Sequence, residues 1–235
     1  MPSYLTLENL TVRYGAHIVL KDIMGTFQKG SLTAIVGPNG GGKSTLLKTL
    51  MGFVSPSSGN FLNSAPKTAY LPQRSLIDLE FPLTVEEVVS FGLWQEIGSF
   101  YSFKKSHKNL VIEALNAVGM ENYKKSHLQT LSGGQLQRVL FARLILQNAD
   151  LILLDEPFTG IDAKTTHDLM VIVKKWHAEN RTIIAVLHDL ELVKRHFSDT
   201  LLLSTKTIGW GSTESVLTPE SLHKIHVCSH SFSFI

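Results

Sequence analysis

Nine consecutive residues between a short apolar run and a leucine-spaced helix have the types and spacing of a phosphate-binding loop. They are Gly37, Pro38, Asn39, Gly40, Gly41, Gly42, Lys43, Ser44 and Thr45, which match the pattern G-x-x-x-x-G-K-[ST]. Glycines let successive backbone N–H groups turn toward phosphate oxygens, and the helix start adds the positive end of its dipole. Lys43 would supply charge to the β- and γ-phosphates, and Ser44 its hydroxyl to magnesium. An ordinary glycine turn is the alternative, but the strand–loop–helix context favours a nucleotide site.

Two adjacent carboxylates end a second apolar run. Residues 151–154 read Leu-Ile-Leu-Leu, and Asp155 and Glu156 follow them. This is the arrangement expected at the rim of a parallel sheet, where ligands bind. We expect Asp155 to hold magnesium, directly or through water, and Glu156 to orient and deprotonate the attacking water. A solvated strand end would look the same in isolation, but the upstream phosphate loop favours the catalytic interpretation.

A third string combines a helix-start pattern with two glycines. It consists of Leu131, Ser132, Gly133, Gly134 and Gln135. Ser132 and Gln135 have capping-box spacing, so the segment is expected to open a helix and present N–H groups to an anion. A plain helix cap would need neither glycine. The string resembles the signature motif that separates ABC (ATP-binding-cassette) ATPases from other phosphate-loop proteins.

Weaker matches to this family occur in the expected order over nearly the whole chain. Tyr14 resembles the aromatic residue that stacks on adenine, and Gln73 the glutamine that touches magnesium and signals to the membrane partner. His188 resembles the histidine that contacts the γ-phosphate, and Asp162 the acidic residue of the loop that crosses between subunits. Each could instead be a core or surface residue, but their positions relative to the strong motifs favour the functional roles.

Two places depart from the family pattern. Gly41 stands where ABC loops commonly carry alanine, serine or another small residue, and it is expected to add flexibility without removing a phosphate contact. Gly160 and Ile161 precede Asp162, where many relatives carry alanine and leucine. The details of the crossing between subunits therefore stay open.

The elements that position these motifs alternate between strands and helices. Near-alternating apolar residues in the first 30 positions and a turn at Gly15 predict an antiparallel flank. Further strands are predicted at residues 32–36, 151–154, 182–187 and 200–203, and helices at residues 43–50, 163–178 and 189–196. This alternation predicts an α/β fold with a mainly parallel sheet covered on both faces. The resemblance implies the phosphate-loop NTPase core of the ABC ATPase fold.

The middle of the chain has a different pattern. Between residues 76 and 148 the strand signal fades and helical patterns take over, including a capping-box start at residues 84–87. We therefore expect a nucleotide-binding α/β core with an antiparallel β flank, formed by residues 1–75 and 149–235. Residues 76–148 are expected to form an inserted helical subdomain that carries the signature.

Composition limits the classes of partner. A formal net charge of +2 and a pI near 8.6 are too small to indicate nucleic-acid binding, so no nucleic-acid partner is expected. A single cysteine, Cys228, cannot form an intramolecular disulfide, which fits a reducing compartment. The first ten residues lack a signal-peptide pattern, and no apolar run approaches the ~20 residues that span a bilayer. We expect a cytosolic protein whose membrane role comes through a partner.

The family resemblance also implies an assembly. In the family, ATP lies between two subunits, with the phosphate loop of one facing the signature of the other, so a homodimer with ATP and Mg²⁺ is expected. Hydrolysis would reopen that dimer and move an attached partner. The implied partners are an integral membrane permease and, indirectly, an extracytoplasmic solute-binding protein. The chain would then lie on the cytoplasmic face of the inner (plasma) membrane.

Four segments favour one branch of the family. Residues 81–85, 157–162, 187–190 and 216–222 resemble bacterial zinc, manganese or iron importers. Zinc or manganese import is favoured and iron is possible, although importers of iron chelates and cobalamin share parts of these segments. A non-transport ABC ATPase, such as an iron–sulfur cluster assembly factor, is the alternative. Chromosome-handling members are disfavoured because no sustained heptad run exists, and a GTPase switch because no Asn-Lys-x-Asp motif is found.

The C-terminal residues contain possible metal ligands. His223, His226, Cys228 and His230 fall within the last thirteen residues, and such side chains suit zinc. They predict a regulatory zinc site, with an exposed tail that happens to hold histidines as the alternative.

Overall fold

The computed structural model describes residues 3–76, 81–97 and 104–223, without the side chains of residues 95 and 96. The strands are β1 (Ser3–Tyr14), β2 (His17–Gln28), β3 (Leu32–Val36), β4 (Ser58–Asn63), β5 (Thr68–Leu71), β6 (Leu151–Asp155), β7 (Thr182–Val186), β8 (Asp199–Ser204) and β9 (Lys206–Ser212). The helices are α1 (Lys43–Leu50), α2 (Val85–Ser90), α3 (Trp94–Ile97), α4 (Lys105–Ala117), α5 (Gly133–Gln147), α6 (Ala163–Ala178), α7 (Leu190–His196) and α8 (Thr213–Val216).

The strands form two sheets. One has three antiparallel strands in the order β2-β1-β4, and the other has six strands in the order β5-β6-β7-β3-β8-β9. In the second sheet only the β8–β9 pair is antiparallel. The predicted α/β fold class is therefore confirmed, with the antiparallel flank formed by two 12-residue strands joined by β4. The strand and helix predictions for residues 32–36, 43–50 and 163–178 match the observed bounds.

The six-stranded sheet separates two hydrophobic cores. Alternating residues of a strand face opposite sides, so Ala34 packs into one core and Ile35 into the other. The second core holds Leu46 and Leu47 of α1 between the two sheets, together with Leu20 of β2. Helix α1 has only eight residues and no side-chain cap at its start, so this two-sided burial is what stabilises it.

The segment between β5 and β6 is helical where it is described. Thr84 and Glu87 form the predicted capping box at the start of α2. Helix α5 packs against α2 and α4, and the single β feature in the described part of residues 77–148 is a bridge between Thr84 and His127. Arg138 of α5 pairs with Asp168 of α6 at 2.6 Å, which joins this segment to the sheet-bearing part. The domain boundaries at residues 76 and 148 stay a prediction.

None of the helices within residues 3–76, 81–97 and 104–223 has the length and apolarity needed to cross a membrane.

Candidate nucleotide-binding and hydrolysis site

Close packing against β2 and β8 fixes the conformation of the phosphate loop. A Cβ on Gly37 would overlap the carbonyl oxygen of Leu203, and one on Gly42 would lie 2.5 Å from Leu20 Cδ2. Gly42 also has a φ of +89°, in the left-handed region that favours glycine. Two glycines of this motif are therefore required by the backbone, whatever ligand the loop holds.

Gly41, the departure from the family pattern, is held on both sides. Its N–H donates to the Pro38 carbonyl at 3.1 Å, and its carbonyl accepts from the Thr205 N–H at 3.0 Å. A Cβ there would lie 3.0 Å from Pro38 O and 3.1 Å from Leu203 O. These contacts give Gly41 a packing role, and the added flexibility stays a prediction. Asn39 and Gly40 are exposed at the tip of the loop.

The ammonium group of Lys43 lies inside the curve of the loop. Its Nζ donates to the carbonyls of Gly37 at 2.9 Å and Pro38 at 2.8 Å, and the residue is 6% exposed. Burial lowers the pKa of Lys43, and the negative charges of Glu156 and Asp155 act in the opposite direction. A cation is thus held beside two carboxylates, where phosphate oxygens would meet it.

The hydroxyl of Ser44 and the carboxylate of Asp155 are adjacent. Ser44 Oγ donates to Asp155 Oδ1 at 2.9 Å, and the Tyr70 hydroxyl donates to Asp155 Oδ2 at 3.3 Å. Asp155 is 1% exposed, and burial raises its pKa while the two hydroxyls lower it. Burial and the nearby carboxylate raise the pKa of Tyr70. The result is a buried carboxylate in contact with two hydroxyl groups, a set of oxygen donors that suits a divalent cation.

Glu156 turns away from the end of β6 toward a second cluster. Its φ of +52° is uncommon for a residue with a side chain, and it directs the carboxylate to His188, whose Nε2 lies 2.8 Å from Glu156 Oε1. Thr159 Oγ1 donates to Glu156 Oε2 at 3.3 Å, and the Gln73 side chain also donates to this carboxylate. Burial alone would raise the pKa of Glu156, but these hydrogen bonds lower it below its ordinary value. These hydrogen bonds therefore favour the ionised form of Glu156.

The signature forms the start of α5 as predicted. Ser132 and Gln135 make the reciprocal capping box, with Ser132 N–H donating to Gln135 Oε1 at 2.9 Å. Next to it, Asp162 caps α6: its Oδ1 accepts from Thr165 N at 2.9 Å and its Oδ2 from Thr165 Oγ1 at 2.8 Å. A Cβ on Gly134 would lie 3.2 Å from Thr165 Oγ1. The signature and the Asp162 loop of one chain are thus in direct contact.

Residues 20–159 match the protein family described as ABC transporter, which is more than half of the chain. The chain belongs to this family. It is 39% identical over 227 residues to a manganese transport system ATP-binding protein of Bacillus subtilis, an alignment that covers 94% of this chain and 91% of the relative. A zinc transport system ATP-binding protein of Treponema pallidum is 37% identical over 227 residues, covering 94% of this chain and 85% of the relative.

The fold comparison agrees with the sequence comparison. A solved structure described as an inward-facing conformation of a metal-chelate type ABC transporter superimposes with a TM-score of 0.86 at 28% identity. The superposition covers 96% of this chain and 89% of that one. The ABC ATPase fold is therefore confirmed, and the protein is an ATP-binding, ATP-hydrolysing subunit of this transporter family.

This ABC subunit brings some of the predicted residues together and leaves others apart. Glu156 and His188 line one cavity of about 590 Å³. Tyr14 is 52% exposed at the end of β1, and the paired strand β2 contacts the phosphate loop. Within the described ranges, no hydrogen bond joins the signature to the phosphate loop of the same chain.

The predicted tail site lies almost entirely beyond the described residues. His223 is exposed near the end of the last described range, and His226, Cys228 and His230 fall outside it. Within residues 3–76, 81–97 and 104–223, no cluster of three or more His, Cys, Asp or Glu side chains could hold a metal ion. The zinc site stays a prediction.

Two side chains that the sequence did not single out contact the ABC subunit's acidic pair. Tyr70 contacts Asp155 from the neighbouring strand β5, and Thr159 contacts Glu156 from three residues downstream. The spacing of Thr159 could have been noticed from sequence, because a hydroxyl at this short separation can reach back to a carboxylate. Tyr70 could not, because its contact depends on the parallel pairing of β5 with β6.

Proposed function

We propose that this subunit is the motor of a manganese or zinc importer and couples ATP hydrolysis to movement of the metal ion through a separate membrane permease. The observation that carries the proposal is the cluster of Lys43, at the start of α1 after β3, with Asp155 and Glu156 at the end of β6, two strands on either side of β7. The chain's relatives are named for manganese and zinc transport systems. The cluster supplies the chemistry, and the relatives suggest the cargo.

The phosphate loop would bind the triphosphate of ATP. Lys43 Nζ, held by two loop carbonyls, would exchange them for β- and γ-phosphate oxygens, and the N–H groups at the start of α1 would face the same oxygens. The first four residues of the loop would surround the phosphates; they are Gly37, Pro38, Asn39 and Gly40. Thr45, in the first turn of α1, would add its hydroxyl near the phosphates. Tyr14, exposed at the end of β1, would stack on the adenine ring.

The residues around Asp155 fit a magnesium ion. The donors are the Ser44 hydroxyl, the Asp155 carboxylate and the Gln73 amide, all oxygen ligands of the kind Mg²⁺ prefers. Asp155 accepts hydrogen bonds from two hydroxyls, and a bound cation would favour its ionised form. When bound, the ion would neutralise charge on the β- and γ-phosphate oxygens.

Glu156 would act as the general base. A carboxylate with a lowered pKa is ionised at neutral pH and can accept a proton from a water placed in line with the γ-phosphate. His188 holds one carboxylate oxygen and Thr159 the other, so the direction of the base is fixed. His188 would then contact the γ-phosphate while it orients Glu156.

Two copies would share each ATP. The signature residues Ser132, Gly133, Gly134 and Gln135 open a 15-residue helix, and such a start attracts anions. In this arrangement the signature would face the nucleotide on the partner copy, with Asp162 at the crossing point. ATP would close the homodimer and hydrolysis would open it, which would move the permease. A peripheral position on the cytoplasmic face of the membrane follows from this assembly.

The test is metal-dependent ATPase activity in a vesicle. The subunit is purified with the permease that accompanies it and reconstituted so that Mg²⁺-ATP is outside and the solute-binding protein is inside. After chelation, manganese, zinc or iron is added to the inside at micromolar concentration while outside Mg²⁺ is constant. We expect manganese or zinc to stimulate hydrolysis and to accumulate outside.

The same vesicles with Glu156→Gln are the matched control, since they retain the assembly without turnover. Steady ATPase activity that no internal metal changes, together with purification on soluble scaffold proteins alone, would favour an iron–sulfur assembly factor instead. Stimulation by an iron chelate or cobalamin would keep the importer and change its cargo.

A further inference from the structure

Arg74 lies directly against the signature of its own chain. It follows Gln73 in the sequence, and its guanidinium occupies the space that a Cβ on Gly133 would need, with Cζ 2.9 Å and Nη2 3.2 Å from that position. Gly133 is the first residue of α5. The absence of a side chain at this glycine is therefore what allows the guanidinium to sit on the helix start.

The position of this charge needs an explanation. The start of α5 carries the positive end of a 15-residue helix dipole, and a guanidinium there is repelled by it. Among residues 3–76, 81–97 and 104–223, no carboxylate lies within ion-pair distance of Arg74. Within the described ranges, two positive groups are thus packed together without an ion-paired acid, and an anionic triphosphate arriving at the signature would be attracted by both.

Arg74 also connects the proposed base, Glu156, to the signature. The side chain of the preceding residue, Gln73, is hydrogen-bonded to Glu156, the proposed base. The backbone between these two residues therefore links the base of one ATP site to the signature that serves the other. On the opposite side of the signature, Gly134 contacts Thr165, so the helix start is held from two directions by the sheet-bearing part of the chain.

We infer that Arg74 is a positioning residue for ATP hydrolysis, one that holds Gly133 of its own signature so that the signature can engage the nucleotide bound to the partner copy. This inference rests on the shared-nucleotide homodimer proposed above. Arg74 would act on the ATP concentration at which the two copies close, and leave binding of ATP to its own phosphate loop unchanged.

The experiment separates these two affinities. Arg74→Ala and Arg74→Lys are compared with wild type in the permease complex for the KM of ATP hydrolysis, and as isolated subunits for equilibrium ATP binding. We expect Arg74→Ala to raise KM about tenfold with unchanged monomer affinity, and Arg74→Lys to recover part of the loss because the charge returns. Lys175→Ala, an exposed cation on α6, is the matched control and should leave KM unchanged.

A second measurement does not depend on turnover. In a Glu156→Gln background, the ATP concentration that gives half-maximal dimer is measured by sedimentation, and adding Arg74→Ala should raise it by a similar factor. Unchanged KM and dimerisation in Arg74→Ala, or a parallel loss of monomer ATP affinity and melting temperature, would overturn the role of Arg74 alone. Wild type that never dimerises with ATP would instead overturn the proposed function, and this inference with it.

Discussion

The phosphate loop and the signature are both glycine-rich and both precede a helix, but their surroundings differ. Around Gly37 and Gly42 a Cβ would meet backbone oxygens of Leu203 and Val19, which belong to strands and cannot move freely. Around Gly133 it would meet the far end of the Arg74 side chain. The phosphate loop is therefore fixed by the sheets, whereas the first glycine of the signature meets a side chain that can adjust.

Because of this difference, the two motifs suit different steps of the ATPase cycle. A rigid cradle suits the tight binding of a triphosphate and the placement of a base, because preorganised groups need no rearrangement at the moment of reaction. An adjustable surface suits an interaction that must form and break in each cycle. The contrast predicts which substitutions remove chemistry, which remove binding and which only change stability.

The largest effect is expected at Glu156, on the rigid side. Glu156→Gln keeps the shape but removes the base, so hydrolysis should fall by about two to four decades while ATP binding and ATP-dependent dimerisation persist. Steady-state phosphate release and nucleotide titration measure the two properties separately. Near-normal hydrolysis by this variant would contradict the role of Glu156.

Lys43→Ala should weaken the binding of ATP by the phosphate loop. The triphosphate would lose its charge-assisted contacts to the ammonium group, which corresponds to about 100-fold weaker ATP binding. Isothermal titration with ATP measures this, and Lys175→Ala serves as the charge control. We expect the signature to keep its structure in this variant. Retained ATP affinity in Lys43→Ala would show that the phosphate loop is not the principal binding element.

A pair of alanine substitutions tests the comparison directly. Gly37→Ala forces a Cβ onto the Leu203 carbonyl and should lower the free energy of unfolding by about 3 kcal/mol. Gly133→Ala displaces only the guanidinium of Arg74 and should lower it by less than about 1 kcal/mol. Urea denaturation of the two variants gives both values. Equal losses would mean that the signature is as tightly fixed as the phosphate loop.

The smallest effect is a shift in pH dependence. Hydrogen bonds from His188, Gln73 and Thr159 lower the pKa of Glu156, so removing the His188 contact should raise it. The base is active when ionised, so in His188→Ala the acid side of the kcat/KM profile should move to higher pH. His127→Ala, which removes an exposed histidine far from this carboxylate in sequence, is the control. An unchanged pH profile of kcat/KM would mean that ionisation of Glu156 does not determine the loss of activity at low pH.

Much of the fold could be predicted because its signals are local. The buried strands at 32–36, 151–155 and 182–186 are apolar runs of strand length, and the capping boxes at Thr84 and Ser132 are encoded within four residues. Strand β4 is not among the strands predicted above, because residues 55–64 are rich in the turn-forming residues Ser, Pro, Gly and Asn and most of this strand is exposed. Its pairing with β1, a contact across about fifty residues, holds it in place.

The sequence predicted which residues would form the site better than it predicted which of them are in contact. The motifs identified Lys43, Asp155, Glu156 and His188, because each chemical role demands a particular side chain at a fixed spacing. The contact of Arg74 with Gly133 had no sequence signal, since it depends on how the chain after β5 folds back on α5.

The packing of the phosphate loop against the end of β8 sets an order on the synthesis of the protein. Gly37 rests on the Leu203 carbonyl, and the Gly41 carbonyl accepts a hydrogen bond from Thr205. A chain still emerging from the ribosome has the nucleotide motif long before it has these partners. We therefore expect the phosphate loop to reach its binding conformation only after residue 205 has joined the sheet.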